Sequence, residues 1–256
     1  MSEESRLDIV DTSTDGAVVH LFFVGAAVRA TLEKNPVDIE AMFDGVVGRY
    51  DITNTIITAG HDNYWRRRAT RALGSGPGDT VLDVAAGTGR STRSLQRAGA
   101  RVVACDISSR MLAAASKRDP GLEAVHGSAT ALPFADASFD AVAISFGLRN
   151  IDQPDKALAE MLRVVKPGGR IAVCEFSMPR DSFVTVVHKF YMTRVIPTLV
   201  RTIAPASDAY DYLAESITTW LPKESLSQLM AAQGWSDVRY TSHTCGILAI
   251  HTGVKR

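Results

Sequence analysis

What most constrains this chain is a rhythm. Between Val81 and Phe176, short runs rich in β-branched residues alternate with helical segments, and glycines punctuate the joins. Residues 80–84 read as a buried strand. Helix signals follow over 91–96 and stop at Gly99. Residues 102–106 form a second strand, and Ser108 is placed to cap a helix over 111–117. Strands three and four are expected at 122–126 and 139–145. A helix over 155–165 is stopped by Lys166-Pro167-Gly168-Gly169, and 170–175 is a fifth strand. Such alternation, at about 25 residues per unit, means βαβ crossovers and a parallel sheet. The end departs from it. Residues 238–243 and 247–251 are strands joined by a turn near Thr244-Cys245-Gly246, so the last pairing is antiparallel. The expected fold is α/β: a mostly parallel seven-stranded sheet flanked by helices and ending in an antiparallel hairpin.

The 256 residues suffice for one such domain, expected over 31–256, with a helical cap at 36–73 and a lid or substrate insertion at 178–236. That insertion is longer than one crossover helix needs. Residues 1–30 are a poorly specified extension. Its apolar run at 18–28 is too short to span a bilayer, and Glu3, Glu4, Asp8, Asp11 and Asp15 precede it where a signal peptide would carry basic residues. A cytoplasmic location is expected. The formal net charge is zero, which argues against nucleic acid as a partner. The one local excess of positive charge, Arg66, Arg67, Arg68 and Arg71, reads as a solvated helix face. Three distant cysteines and six histidines without ligand spacing predict neither a disulfide nor a metal site. Cys105 and Cys174 fall inside strands as small core residues.

Chemistry concentrates where the first strand runs into Leu82-Asp83-Val84-Ala85-Ala86-Gly87-Thr88-Gly89. Small residues at the carboxyl end of a strand let backbone approach a ligand closely, and open α/β sheets bind their ligands there. A P-loop would continue Gly-Lys-Ser/Thr, but Gly89 is followed by Arg90-Ser91. A pyrophosphate fingerprint would place a third glycine near Thr92, and it is missing. Asp106, about twenty residues on, ends the second strand where a carboxylate accepts from both ribose hydroxyls. A ribose site without a phosphate grip favours S-adenosylmethionine over NAD. The candidate cofactor residues are Asp83, Gly87, Thr88, Gly89, Asp106, Ile107, Ser128, Ala129 and Ser145. Other readings stay open: Asp83 and Asp106 as helix caps or solvated strand ends, Ser128 as turn chemistry, Ser145 as a core hydroxyl.

The stretch from Val81 to Phe176 resembles class I methyltransferases, which have a Rossmann-like fold. More narrowly, the chain is similar to the C-methyltransferase family of menaquinone and ubiquinone biosynthesis. The matching segments are Ala41-Met42-Phe43-Asp44-Gly45-Val46, Arg49-Tyr50-Asp51-x-x-Asn54, Gly60-x-Asp62-x-x-Trp65-Arg66 and Leu82 to Gly89. They continue with Ile144-Ser145-Phe146-Gly147-Leu148-Arg149-Asn150, Glu175-Phe176-Ser177-x-Pro179 and Tyr210-x-Tyr212-Leu213-Ala214-Glu215-Ser216-Ile217, so the likeness spans roughly 30–255. It departs from the family at Ser128, where Asp or Asn is frequent, and at Arg90, where an acidic residue is common.

The resemblance implies transfer of a methyl group from S-adenosylmethionine to a ring carbon of a prenylated naphthoquinol, the last step of menaquinone synthesis. The competing readings are methylation of a soluble aromatic metabolite by the same cofactor half and a non-enzymatic cofactor-binding or assembly protein, against which an intact Gly-Thr-Gly, Asp106 and Arg149 weigh. Ring C-methylation needs an electron-rich, partly deprotonated quinol, in-line approach and a dry site. Arg149, just after the fourth strand, is the expected electrostatic catalyst, with Tyr50 and Asp51 assisting and Asp51 or a water taking the proton. The alternative is that Arg149 pairs with Glu215 or Asp51 and merely ties segments together. Tyr212, Glu215 and Ser216 would shape a lid, and Trp65 would pack. From Phe183 to Ile203, apolar residues recur at helical spacing among His188, Lys189, Arg194 and Arg201, with a break expected at Pro197. This reads as a cover-helix pair, as a channel for a polyprenyl tail beside lipid headgroups, or as both. Peripheral contact with the inner face of the cell membrane is therefore expected, and a homodimer is left open.

Overall fold

The computed structural model describes residues 35–179, 185–186, 190–195 and 209–256. In chain order these form α1 (Pro36–Ile57), α2 (His61–Leu73), β1 (Thr80–Val84), α3 (Arg90–Gln96), β2 (Arg101–Asp106), α4 (Ser109–Arg118), β3 (Glu123–His126) and β4 (Phe139–Ser145). After a 3₁₀ turn at Leu148–Asn150 come α5 (Pro154–Val164), β5 (Val165–Phe176), a π-helical turn at Tyr191–Val195, α6 (Ala209–Thr218), α7 (Lys223–Ala232), β6 (Ser236–His243) and β7 (Leu248–Val254).

One seven-stranded sheet has the order β3-β2-β1-β4-β5-β7-β6. The pairs from β3 through β5 are parallel, and β7 pairs antiparallel with both β5 and β6. Central strands are buried on both faces, which is why β1 and β4 read as nearly continuous apolar runs. Period-two alternation then sorts the side chains. Leu82, Val84, Val103, Val142, Ile144, Ile171 and Val173 pack with α5, α7 and Trp235 on one face. Val81, Val102, Ala141, Ala143 and Ala172 meet Leu73 of α2 and Leu95 of α3 on the other. The alanines on that second face let α2 and α3 lie close to the sheet.

Apart from shifts at element ends, sequence and structure differ most in three places. Helix α1 continues ten residues past Val47, the last apolar position of its pattern, to Ile57. Strand β5 starts at Val165, so Lys166-Pro167-Gly168-Gly169 lies inside it. Backbone bonds to Lys255 hold this segment (Gly168 N to Lys255 O at 2.7 Å, Lys255 N to Gly169 O at 2.9 Å), and the β4–β5 register shifts beside it. Lys255 Nζ also donates to the carbonyls of Leu162, Arg163 and Val165, so a lysine from the chain terminus caps α5. Finally, only Arg67, Arg68 and Arg71 form the solvated face expected of the arginine run; Arg66 is buried.

Among the described residues, no helix is long and apolar enough to cross a membrane. The extension with its run at 18–28 lies outside them, as does most of the 183–203 stretch, including His188, Lys189, Pro197 and Arg201.

Candidate active site

Strands β1 and β4 are neighbours whose onward connections diverge, leaving a crevice at their carboxyl ends. The turn after β1 is tight: Ala85 (φ 52°), Gly87 (φ 56°) and Gly89 (φ 76°) all occupy the left-handed region. The turn after β4 matches it, with Phe146 at φ 62°. The two turns touch so closely that a Cβ on Gly147 would lie 2.5 Å from that of Ala85. Between them opens a cleft of about 990 Å³, which includes its mouth. It is lined by the β1 turn, Cys105 to Ile107, Gly127 to Thr130, Ser145 to Gly147 and Asn150.

At the cleft's far wall, Asp106 accepts from the backbone N–H of Gly87 (2.7 Å) and of Ser108 (2.8 Å). Burial nonetheless pushes its carboxyl up. Each oxygen has lone-pair capacity left for a vicinal diol. Ser108 caps α4, accepting from Met111 N at 3.0 Å, and so fixes where β2 ends. Ser128 faces the cleft, but its hydroxyl is engaged by Thr130.

Helix α1 roofs the cleft with Ile39, Phe43 and Tyr50. Polar bonds fasten it. Thr88 Oγ1 donates to Asp51 Oδ1 at 2.6 Å, Arg118 pairs with the other Asp51 oxygen, and Ser108 Oγ donates to Asp44 at 2.6 Å. Arg90 donates to Asp51 O and Thr55 Oγ1 and pairs with Asp62 at 2.9 Å.

A smaller cavity of about 330 Å³ adjoins the cleft, sharing Tyr50, Arg66 and Phe146 with it. Asn54, Ile57, Thr58, Asp62, Arg149, Phe176 and Leu213 complete its walls. Arg149 Nη1 donates to Glu175 Oε1 at 2.8 Å and to Phe146 O at 2.6 Å, both side chains being almost wholly buried. Arg149 lies over the Phe176 ring and Arg66 over the Phe146 ring, with guanidinium carbons 5.3 and 4.9 Å from the centroids. Nearby, burial pushes the Tyr212 phenol up to about 12, against the pull of Arg149.

These features fit S-adenosylmethionine. Asp106 and the β1 turn suit a ribose, the glycines admit close backbone approach, and Asn150 Oδ1 is buried at the cleft with no partner. The ubiE/COQ5 methyltransferase family model matches residues 30–255. The chain belongs to this family. A demethylmenaquinone methyltransferase of Mycobacterium sp. (strain KMS) is 51% identical over 227 residues, covering 89% of this chain and 98% of that one. Its counterpart in Mycobacterium tuberculosis (strain ATCC 25177 / H37Ra) is 48% identical over 227 residues, with 89% and 96% covered. Among solved structures, a SAM-dependent methyltransferase from Thermotoga maritima superposes with a TM-score of 0.62 at 21% identity, covering 85% of this chain and all of that one. Phosphoethanolamine N-methyltransferase 2 of Haemonchus contortus, in complex with S-adenosyl-L-methionine, gives 0.58 at 16% identity over 83% of this chain and 60% of that one. The fold is thus that of class I methyltransferases, and the methyl donor of this family member is S-adenosylmethionine.

The cleft of this methyltransferase gathers Gly87, Thr88, Asp106, Ile107, Ser128, Ala129 and Ser145. Gly89 does not line it. Its αL backbone caps α3, and a Cβ there would press on Ala115 at 3.2 Å. Asp83 does not line it either. It points to the α3 side of the sheet, where Thr92 Oγ1 donates to Oδ2 at 2.6 Å while Oδ1 has no partner. Tyr50 lines both cavities, whereas Asp51 lines neither, its two oxygens being taken by Thr88 and Arg118. Arg149 pairs with Glu175 rather than with Glu215 or Asp51. Two groups escaped the sequence reading. Arg66 carried a findable signal, since Asp62, Arg66 and Thr70 recur at the same spacing as Trp65, Ala69 and Leu73 and are equally buried. Glu175 stands in one of the matching segments, but nothing local pairs it with Arg149, because only sheet register brings the two together.

Proposed function

We propose that this methyltransferase alkylates a ring carbon of a prenylated naphthoquinol, converting demethylmenaquinol to menaquinol. The observation that carries this reading is the smaller cavity. It opens beside the methyl-donor cleft, has aromatic walls in Phe146 and Phe176, and is edged by two guanidiniums, as a flat ring bearing ionisable hydroxyls requires. The names of the relatives, at about half identity over nearly their whole length, point the same way.

S-adenosylmethionine supplies an electrophilic methyl group and leaves as a neutral thioether. The quinol first gives up one hydroxyl proton. Its ring carbon then spends an electron pair on the new carbon–carbon bond, and the oxyanion becomes a carbonyl. Loss of the proton on that carbon and return of one to oxygen restore the aromatic quinol. The protein holds the ring flat, keeps water out beneath α1 and steadies the oxyanion. Tyr50 is the polar side chain of α1 that reaches both cavities, and Asp51 positions it by fastening α1 to Thr88.

The prenyl tail leaves toward Tyr191 and its described neighbours. Tyr191 hydroxyl donates to the carbonyl of Ile57, a wall residue of the small cavity, while Phe190, next to it in sequence, and Val186 are exposed. Contact of that apolar edge with a bilayer surface would deliver the substrate from the membrane. The test compares a prenylated demethylnaphthoquinol with its tail-less parent in detergent. At ~0.8 kcal/mol per buried CH₂, burying even a few tail carbons raises kcat/KM at least tenfold. Equal values would favour a soluble aromatic substrate.

A further inference from the structure

The charges around the smaller cavity do not cancel. Arg149 is matched by Glu175 at 2.8 Å, and Asp62 by Arg90 at 2.9 Å. Arg66, 9% exposed, has no carboxylate within ion-pair distance among the described residues. Its Nη1 donates to Ser91 Oγ, and its flat face is fixed over Phe146. The opposite edge is unpaired: Nε is buried without a partner, and Nη2 has no hydrogen bond among the described residues. That edge, Nε with Nη2, is the fork with which a guanidinium grips an oxyanion. Asp83 feels the charge of Arg66, yet it is held by Thr92 and makes no ion pair with it. A buried cation without a counterion costs several kcal/mol unless an anion arrives to meet it. Arg66 lines both the methyl-donor cleft and the substrate cavity, so it stands where the two reactants meet.

Resting on the quinol reading above, we infer that Arg66 is the residue that receives the quinolate oxygen, while Arg149, already neutralised by Glu175, frames the cavity around it. The reaction begins with loss of a hydroxyl proton, and the negative charge then rests mainly on that oxygen, shared with the ring carbon that attacks the methyl group. A cation held ready at that oxygen therefore raises the fraction of quinol that is reactive at neutral pH. The rival occupant of the fork is the carboxylate of the methyl donor, and the experiment separates the two.

The probe is 1-naphthol, whose absorbance reports its ionisation, bound to the protein in the presence of S-adenosylhomocysteine. The charged and titratable groups around the cavity, besides Arg66, are Asp62, Arg90, Asp83, Arg149, Glu175, Cys174, Tyr50, Tyr191 and Tyr212. Asp83, lifted to about 6, stays ionised in a titration run above pH 7.5. Wild type should ionise the bound naphthol at least one pH unit lower than Arg66→Gln, with Arg66→Lys between them. In Arg66→Gln, kcat at pH 7 should fall about 100-fold and recover as pH rises toward the quinol's own ionisation. Affinity for S-adenosylhomocysteine should change less than threefold. An unmoved naphthol titration with a tenfold loss of S-adenosylhomocysteine affinity would assign the fork to the donor's carboxylate and overturn the inference. Loss of kcat equal at every pH, with a lowered Tm and no rescue by lysine, would leave Arg66 a structural wall and overturn it too. Failure of wild type to turn over the quinol would remove the quinol reading itself; wild-type turnover with an unmoved titration removes only the role of Arg66.

Discussion

Arg149 and Glu175 meet at 2.8 Å with side-chain exposures of 4% and 1%, and the same Arg149 nitrogen donates to the carbonyl of Phe146. The pair therefore does structural work at the lip of the site. It locks Phe146, which carries a left-handed φ of 62°, between the larger cleft and the smaller cavity.

Removing one member of a buried pair strands the other's charge. Glu175→Gln should lower unfolding stability by about 3–5 kcal/mol, read from urea denaturation. The double variant Arg149→Met/Glu175→Leu should lose clearly less than the two single losses combined, because no charge is left unpaired. Additive losses would show that the pair is not coupled.

Asp83 should reveal itself through pH. Burial lifts its carboxyl from 3.8 to about 6 against the hydrogen bond from Thr92. The folded state therefore holds a proton that the unfolded chain releases, and the associated stability, present below about pH 4, is lost as pH rises through 6. At neutral pH the ionised group costs about 3 kcal/mol, an order-of-magnitude figure. Asp83→Asn keeps an acceptor for Thr92 and should be more stable than wild type at pH 7.5, the difference shrinking toward pH 4.5. A pH-independent difference would contradict the burial argument.

Gly147 is tested by a single methyl group. In Gly147→Ala the new Cβ would lie 2.5 Å from that of Ala85, so the two turns must separate. The expected loss is about 1–3 kcal/mol of stability with weakened S-adenosylhomocysteine binding by calorimetry. Adding Ala85→Gly removes the clash and relieves the left-handed backbone at position 85. Both readouts should recover, and their failure to do so would place the effect elsewhere.

Much of the scaffold was legible because buried parallel strands are β-branched runs closed by glycine. Thr80–Val84 and Phe139–Ser145 read to the residue, and Ser108 as a helix cap followed from its position before an apolar run. The site was legible only where chemistry is local, as in the Gly-Thr-Gly turn and Asp106. Arg66 was hidden by its neighbours, since four arginines within six positions look like a charged face although only three reach solvent. Asp83 was misplaced because its position at the end of a strand outweighed the alternation, which turns it away from Leu82 and Val84 toward α3. Pairing Arg149 with Glu175, 26 residues away, requires the register that sets Ser145 opposite Cys174. No local pattern encodes that register.

The central claim is that an electron-rich prenylated quinol is the methyl acceptor. The direct measurement is transfer of labelled methyl from S-adenosylmethionine to chemically reduced demethylmenaquinone in detergent, beside the same quinone left oxidised. The account requires label on the ring carbon with the quinol and none with the quinone. Equal labelling of both, or no labelling of the quinol by protein that binds S-adenosylhomocysteine, would contradict it.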